Sequence, residues 1–341
     1  MSAFKNNSLS GPFIFEEDSI EKNMWNVVLA LIPSSIVALI LFGPYSLYLI
    51  FGTAIFSVLL ELPFTGQKFP GDGSAFVTGI LLGMSLPPGV PFWLPLVGAF
   101  FAIVIAKQFF GGLGNNIFNP ALAGRAIIRL SFPGYFSNWY APFSVITTAT
   151  PLAEKVSDIE IGYFSERGVI GIWDLFIGNV PGTIGETSAL AILIGAVYLY
   201  IKGYIGWRIP VSYIGTAFVL SLFLGINPFF TIFSGALMLG ACFMATDMVT
   251  SPAAKDSRII FGIGCGVITM FFRQYSNGFS EGVTFAILTM NGFSYLLDYL
   301  FEGYYMGQDE KRKRVYYHLG TIVMAFIIIV LLSWLGTYII N

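Results

Sequence analysis

Charge is scarce in this sequence. Asp, Glu, Lys and Arg make up 11% of its 341 residues, where a soluble domain carries about 25%. An ordinary cytosolic enzyme is excluded on that ground. The 17 basic and 19 acidic side chains nearly cancel, so the chain offers no basic surface and nucleic acid is not an expected partner. Histidine is reduced to His318 alone, which rules out a haem held by two histidines. Cys242 and Cys265 stand 23 residues apart in apolar stretches without a CxxC spacing. Two such thiols cannot hold an iron–sulfur cluster by themselves, and they read as buried helix residues. If this chain moves electrons, it must do so with an organic cofactor. No cleavable leader is expected either, because Glu16, Glu17, Asp18 and Glu21 fall where an apolar stretch would be needed.

What is present is apolar surface. Hydrophobic residues account for 56% of the chain and aromatics for 17%, with 34 Phe and 17 Tyr. This is the composition of an all-α polytopic membrane protein. Hydrophobic segments fall at 24–42, 45–62, 74–86, 93–108, 119–132, 184–201, 209–226, 228–246, 259–272, 283–300 and 317–340, giving ten or eleven transmembrane helices. A full span takes about 20 residues. Segments 74–86 and 119–132 are shorter and bounded by Pro or Gly, the pattern of broken helices enclosed by protein.

Orientation follows from where Lys and Arg fall. With the N-terminus inside, the inner loops hold Lys5, Lys22, Lys68, Lys107, Lys202, Arg208, Lys255, Arg258 and the run Lys311–Arg314, twelve in all. The outer loops hold three: Lys155, Arg167 and Arg273. The N-terminus is therefore expected in the cytoplasm and the long loop 133–183 outside it.

An internal repeat also shows. Ser85-Leu86-Pro87 precedes Lys107-Gln108 by about the distance that separates Thr250-Ser251-Pro252 from Arg273-Gln274, and the two pairs are offset by 165 and 166 residues. Since Lys107 counts as inside and Arg273 as outside, the halves should be inverted five-helix repeats. The expected organisation is a cytoplasmic segment (1–22), a first repeat (23–132), an extracytoplasmic loop (133–183), a second repeat (184–301), and a basic loop with an extra helix (302–341).

Several residues could carry chemistry. The outer loop contains Ser144-Val-Ile-Thr147-Thr148-Ala149-Thr150-Pro151-Leu152, in which Pro151 biases Thr150 toward an extended backbone that holds its hydroxyl clear. On spacing alone this is also an ordinary hydroxyl-rich loop. The Gly/Asn stretch Gly111–Asn119 opens a helix at Pro120, and that helix carries Arg125 and Arg129 on one face. Intramembrane arginines face a partner or a cavity; the functional reading is an anionic group such as a phosphate, and the plain reading is snorkelling to the outer interface. Asp247 and Asp298 are candidates for a cation path, as intramembrane acids often are, while Glu186 and Glu281 stand near segment ends. For each of these acids an interfacial carboxylate is the alternative.

Five motifs in order resemble one family: Asp72-Gly-Ser-Ala-Phe-Val-Thr-Gly, the run Lys107–Ala126, Gly185-Glu-Thr-Ser-Ala-Leu-Ala-Ile-Leu, Trp207-Arg-Ile-Pro-Val-Ser and Glu281–Asn291. The family is that of the D subunit of the Rnf electron-transport complex, akin to the B subunit of the sodium-pumping NADH:quinone reductase. The resemblance runs from about residue 24 to 300 and implies a urea-transporter-like pair of inverted repeats in a bacterial or archaeal cytoplasmic membrane.

It also implies FMN joined through its phosphate to a threonine by a flavin transferase, with Thr150 in the acceptor position, Thr147 and Thr148 as alternates, and Ser144 upstream. A second, non-covalent riboflavin is implied toward the cytoplasmic side. The implied partners are the A, B, C, E and G subunits of the complex, the transferase and lipid. The implied work is electron transfer between ferredoxin and NAD coupled to movement of Na⁺ or H⁺. Arg125 and Arg129 then become candidates for the phosphodiester of the attached FMN, an inference from their placement and not from the family. The rival from another class is a urea- or ammonium-type solute channel without a redox role.

Overall fold

The computed structural model of the chain describes residues 19–66, 69–137, 139–140, 142–143, 163–165, 168–275 and 282–305. The acceptor stretch 144–153, Glu281, His318 and the expected helix at 317–340 lie outside the described residues.

Among the described residues the architecture is helical, apart from a two-stranded antiparallel hairpin, β1 (Tyr163–Ser165) and β2 (Gly168–Ile170). The first half of the chain forms α1 (Ile20–Phe42), α2 (Pro44–Thr65), α3 (Ser74–Met84), α4 (Trp93–Phe100) and α5 (Pro120–Ser131). A short α6 (Ile172–Ile177) follows. The second half forms α7 (Ala189–Ile201), α8 (Arg208–Phe223), α9 (Pro228–Phe233), α10 (Leu237–Leu239), α11 (Lys255–Tyr275) and α12 (Val283–Tyr305). Among the described residues three stretches are long and apolar enough to cross a bilayer by themselves: Ile20–Phe42, Pro44–Thr65 and Trp93–Phe110. Each of the first ten hydrophobic segments read from the sequence becomes helical, and this is a polytopic membrane protein.

Local chemistry sets the helix ends. Ser19 Oγ accepts from Lys22 N at 3.1 Å to open α1, and Asn119 Oδ1 accepts from Leu122 N at 3.3 Å to open α5, with Pro120 at its first position. Gly43, with φ of 79°, makes the corner between α1 and α2, a conformation glycine adopts without a Cβ penalty.

Packing relies on small residues, as expected where lipid removes the hydrophobic drive between helices. Gly79 and Gly83 lay α3 directly on the backbone of α2: a Cβ at Gly83 would sit 2.8 Å from Ile50 Cα, and one at Gly79 would collide with Ala54. Gly262 and Gly266 do the same for α11 against α8. The two halves meet where α1 packs on α7 and α5 packs on α12.

The breaks are more elaborate than Pro and Gly placement suggests. The segment 228–246 is two pieces, α9 and α10, parted at Ser234–Ala236. Two π turns, Phe101–Ile105 after α4 and Gly240–Met244 after α10, each end in an i+5 hydrogen bond: Ala106 N to Phe101 O at 2.9 Å and Ala245 N to Gly240 O at 2.7 Å. Such turns insert one residue into a helix and recur at functional places.

Candidate functional site: a polar pocket and two buried ion pairs

A pocket of about 790 Å³, its open mouth included, lies between α1, α3 and the start of α5 on one side and α7 with the Gly240–Met244 turn on the other. Its walls combine the Phe243 ring with Asn23, Asn116, Lys107, Thr246 and Asp247. The amide oxygens of Asn23 and Asn116 are buried and have no hydrogen-bond partner among the described residues. A buried amide oxygen without a donor costs about 1–3 kcal/mol, so these two mark where a donor from a ligand would be stabilised. Asn116 is 5% exposed, and its amide nitrogen is fixed by donation to Phe118 O at 3.3 Å.

Lys107 forms part of this wall. The loop-by-loop charge count treats it as an inner-loop residue; the structure buries it. Its ammonium lies 2.6 Å from Glu61 Oε1, with both side chains almost fully enclosed. It also donates to Ser74 Oγ at the start of α3, and Ser74 Oγ donates to Asp72 Oδ1. Gln108 Nε2 adds a bond to Glu61 Oε1 at 2.7 Å.

The second ion pair joins α5 to the stretch before α7. Arg125 of α5 is fully buried and its Nη1 meets Glu186 Oε1 at 2.8 Å. Thr183 Oγ1 donates to the other carboxylate oxygen of Glu186. The stretch that carries Glu186 threads over the end of α3, where Gly185 N donates to Met84 O at 2.7 Å and Ile184 N to Leu86 O at 3.0 Å. Glu186 is thus 3% exposed, enclosed by protein. Arg129, one turn beyond Arg125, is half-buried with its guanidinium over the Phe136 ring, 5.4 Å from the centroid.

The two cations of the sequence repeat have parallel duties. Lys107 holds the start of α3. Arg273 donates to Thr231 O at 2.6 Å and Ser234 O at 2.9 Å, pinning the break between α9 and α10. Arg273 therefore serves as an internal clamp as well as a count in an outer loop.

The two acids singled out for a cation path differ. Asp247, in the loop after the second π turn, lines the pocket and accepts from Thr250 Oγ1 at 2.9 Å. Burial pushes its carboxyl above the usual aspartate range, partly offset by that bond and by the charge of Lys107. Asp298 faces the start of α11 instead, where its two oxygens accept from Ala253 N at 2.7 Å and Ala254 N at 3.0 Å. That is the work of a helix-start cap.

Sequence reasoning brought Arg125 and Glu186 forward separately without pairing them, and it missed Glu61, Asn23 and Asn116. For Glu61 a signal existed, a carboxylate in the apolar run Leu59-Leu60-Glu61-Leu62. The asparagines carry none, since nothing in a single sequence tells an orphaned amide from a satisfied one.

Comparison with known proteins follows the same course. The NQR2, RnfD, RnfE family model matches residues 7–307. The chain is 45% identical over 295 residues to the D subunit of the Na⁺-translocating ferredoxin:NAD⁺ oxidoreductase complex of Acetobacterium woodii, covering 83% of this chain and 89% of that protein. It is 39% identical over 311 residues to the D subunit of the proton-translocating ferredoxin:NAD⁺ oxidoreductase complex of Clostridium ljungdahlii, covering 85% and 92%. With the D subunit of an ion-translocating oxidoreductase complex of Stutzerimonas stutzeri the identity is 34% over 319 residues, covering 82% and 90%. A single family accounts for the motifs, the helix pattern and these relatives: the chain belongs to the NQR2, RnfD, RnfE family.

Proposed function

We propose that this chain is the flavin-bearing membrane subunit of an Rnf-type complex, in which electron transfer between ferredoxin and NAD is coupled to movement of a monovalent cation. The observation that carries the reading is a family match spanning residues 7–307 together with the sequence Ala149-Thr150-Pro151-Leu152 in the outer loop. One relative is named for sodium and another for protons, so the ion class and not the ion is proposed. The chain would act only within the complex, beside the A, B, C, E and G subunits, after a flavin transferase has loaded it.

Two flavins are proposed, and they supply the redox chemistry when bound. FMN is assigned to Thr150, with Thr147, Thr148 and Ser144 as its neighbours in the loop. Because Glu186 already engages Arg125, Arg129 is assigned the direct contact with the phosphodiester and Arg125 a supporting one.

Riboflavin is assigned to the polar pocket, whose residues fit it. The partnerless oxygens of Asn23 and Asn116 can accept from a ring imide N–H. Lys107 can donate to a ring carbonyl, the Thr246 hydroxyl, which donates to Cys242 O at 2.6 Å, can accept, and Phe243 offers an apolar wall. The orientation proposed is a cytoplasmic N-terminus and an extracytoplasmic acceptor loop in a bacterial or archaeal inner membrane. Taking Lys107 out of the inner loops leaves eleven basic residues there against three outside. The five-and-five order of helices, with α1 on α7 and α5 on α12, supports inverted repeats.

The test is in-gel fluorescence. The chain produced with its transferase should fluoresce as a flavoprotein after denaturing electrophoresis, and Thr150→Ala should darken the band. A dark wild-type band, or a bright Thr150→Ala band, refutes the attachment. Non-covalent flavin released by denaturation should fall in Asn116→Leu if the pocket is assigned correctly.

A further inference from the structure

The polar pocket has one basic residue among its described lining, and that residue is already engaged. Lys107 is 1% exposed, with its ammonium 2.6 Å from Glu61 Oε1. Lys107 and Ser74 line the pocket and Glu61 does not. Lys107 therefore lines the cavity while its ammonium is held by a buried carboxylate that does not. Asp247 faces it across the cavity wall within range of its charge. The acidic groups around it are Glu61, Asp72 and Asp247, and the polar ones are Ser74 and Gln108. One cation on a flexible four-carbon stem is thus set among three carboxylates, of which only Asp247 lines the cavity.

We propose that Lys107 is a shared counter-charge, its ammonium partitioning between Glu61 and negative charge that enters the pocket. The inference rests on the assignment of a flavin to this pocket. One electron, supplied by the redox reaction of the complex, adds a negative charge in the cavity that Lys107 lines. No covalent bond forms or breaks in the protein, and the ammonium keeps its protons and changes partner. Coulomb attraction in a poorly screened interior favours the move. A buried carboxylate deprived of its partner resists it. The electron's arrival is thereby felt at Glu61, a residue outside the cavity.

The arrangement gives two substitutions opposite signs. Glu61→Gln releases the ammonium toward the cavity and makes reduction there easier. Lys107→Met removes it and makes reduction harder. A unit charge at this range alters the ratio of reduced to oxidised cofactor by about tenfold, which is about 59 mV for a one-electron couple.

The experiment is a spectroscopic redox titration of the full-length chain in a Thr150→Ala background, where the non-covalent flavin is the only one expected. Glu61→Gln should raise the midpoint potential and Lys107→Met should lower it. Lys107→Met/Glu61→Gln, which orphans no buried charge, should still lie below the parent, while Lys107→Arg should stay near it. If the double substitution restores the parent potential, the single variant acted through disturbed packing and the proposal fails. Shifts of the same sign, or none with flavin still bound, overturn it while leaving the pocket assignment intact. A parent chain with no non-covalent flavin overturns the pocket assignment and this inference together.

Discussion

The Arg125–Glu186 pair gives the sharpest test of how this fold is held. Both side chains are sealed from solvent, at 0% and 1% side-chain exposure, and their atoms meet at 2.8 Å. Removing one partner of such a pair costs about 3–5 kcal/mol, because the survivor remains charged and buried, whereas replacing both with apolar groups of similar size is close to neutral.

The two single substitutions should not cost the same. Glu186→Gln leaves a guanidinium, which cannot give up its proton in a protein. Arg125→Met leaves a carboxylate, which can take one. Glu186→Gln should therefore fall at the upper end of that range and Arg125→Met at the lower end, with the gap widening as pH falls. The assay is a double-mutant cycle on thermal unfolding in detergent, monitored by tryptophan fluorescence at two pH values. Single substitutions each within about 0.5 kcal/mol of wild type, the scale of ordinary surface changes, would refute the reasoning. So would a double variant no more stable than the worse single.

Asp247→Asn should flatten the dependence of stability on pH. The folded state raises this carboxyl above 3.8, so its contribution is fully present below that value and is lost as pH rises through the higher folded value. At neutral pH the variant should unfold later than wild type, and a parallel loss at every pH argues against the assignment. Asp298→Ala should lower stability by about 1–2 kcal/mol through loss of the cap on Ala253 and Ala254. If the cap is its whole role, the ions moved per electron should stay unchanged in Asp298→Ala, and a changed ratio would place Asp298 on the ion path. Gly79→Val should drive α3 off α2 at Ala54 and cost about 1–3 kcal/mol or more, read as a fall in folded yield from membranes; wild-type yield would contradict the backbone contact.

The sequence was most legible where physics acts locally. Apolar length and interrupting Pro and Gly placed α1 to α3, α5, α7, α8, α11 and α12 within about five residues at either end, because burial in lipid leaves the backbone no alternative to helices. The cap at Asn119-Pro120 was readable for the same reason. What resisted reading was pairing at a distance. Arg125 and Glu186 are 61 residues apart, and Lys107 and Glu61 are brought together only once α4 lies beside α2. The split of 228–246 at Ser234 was hidden as well, since the clamp that stabilises it, Arg273, comes from α11. Two π turns left no trace in hydropathy, because adding a residue to a helix changes its phase and not its composition.

That phase matters most after α4. The Phe101–Ile105 turn is followed two residues later by Lys107, and a helix rotates by about 100° per residue. Without the extra residue in this turn, the ammonium would swing about a quarter of the way around the helix axis, away from Glu61 and Ser74. The surplus residue therefore sets the azimuth of the pocket's Lys107 ammonium. A one-residue deletion within 101–105 would amount to a charge-removal variant that leaves every charged side chain in place.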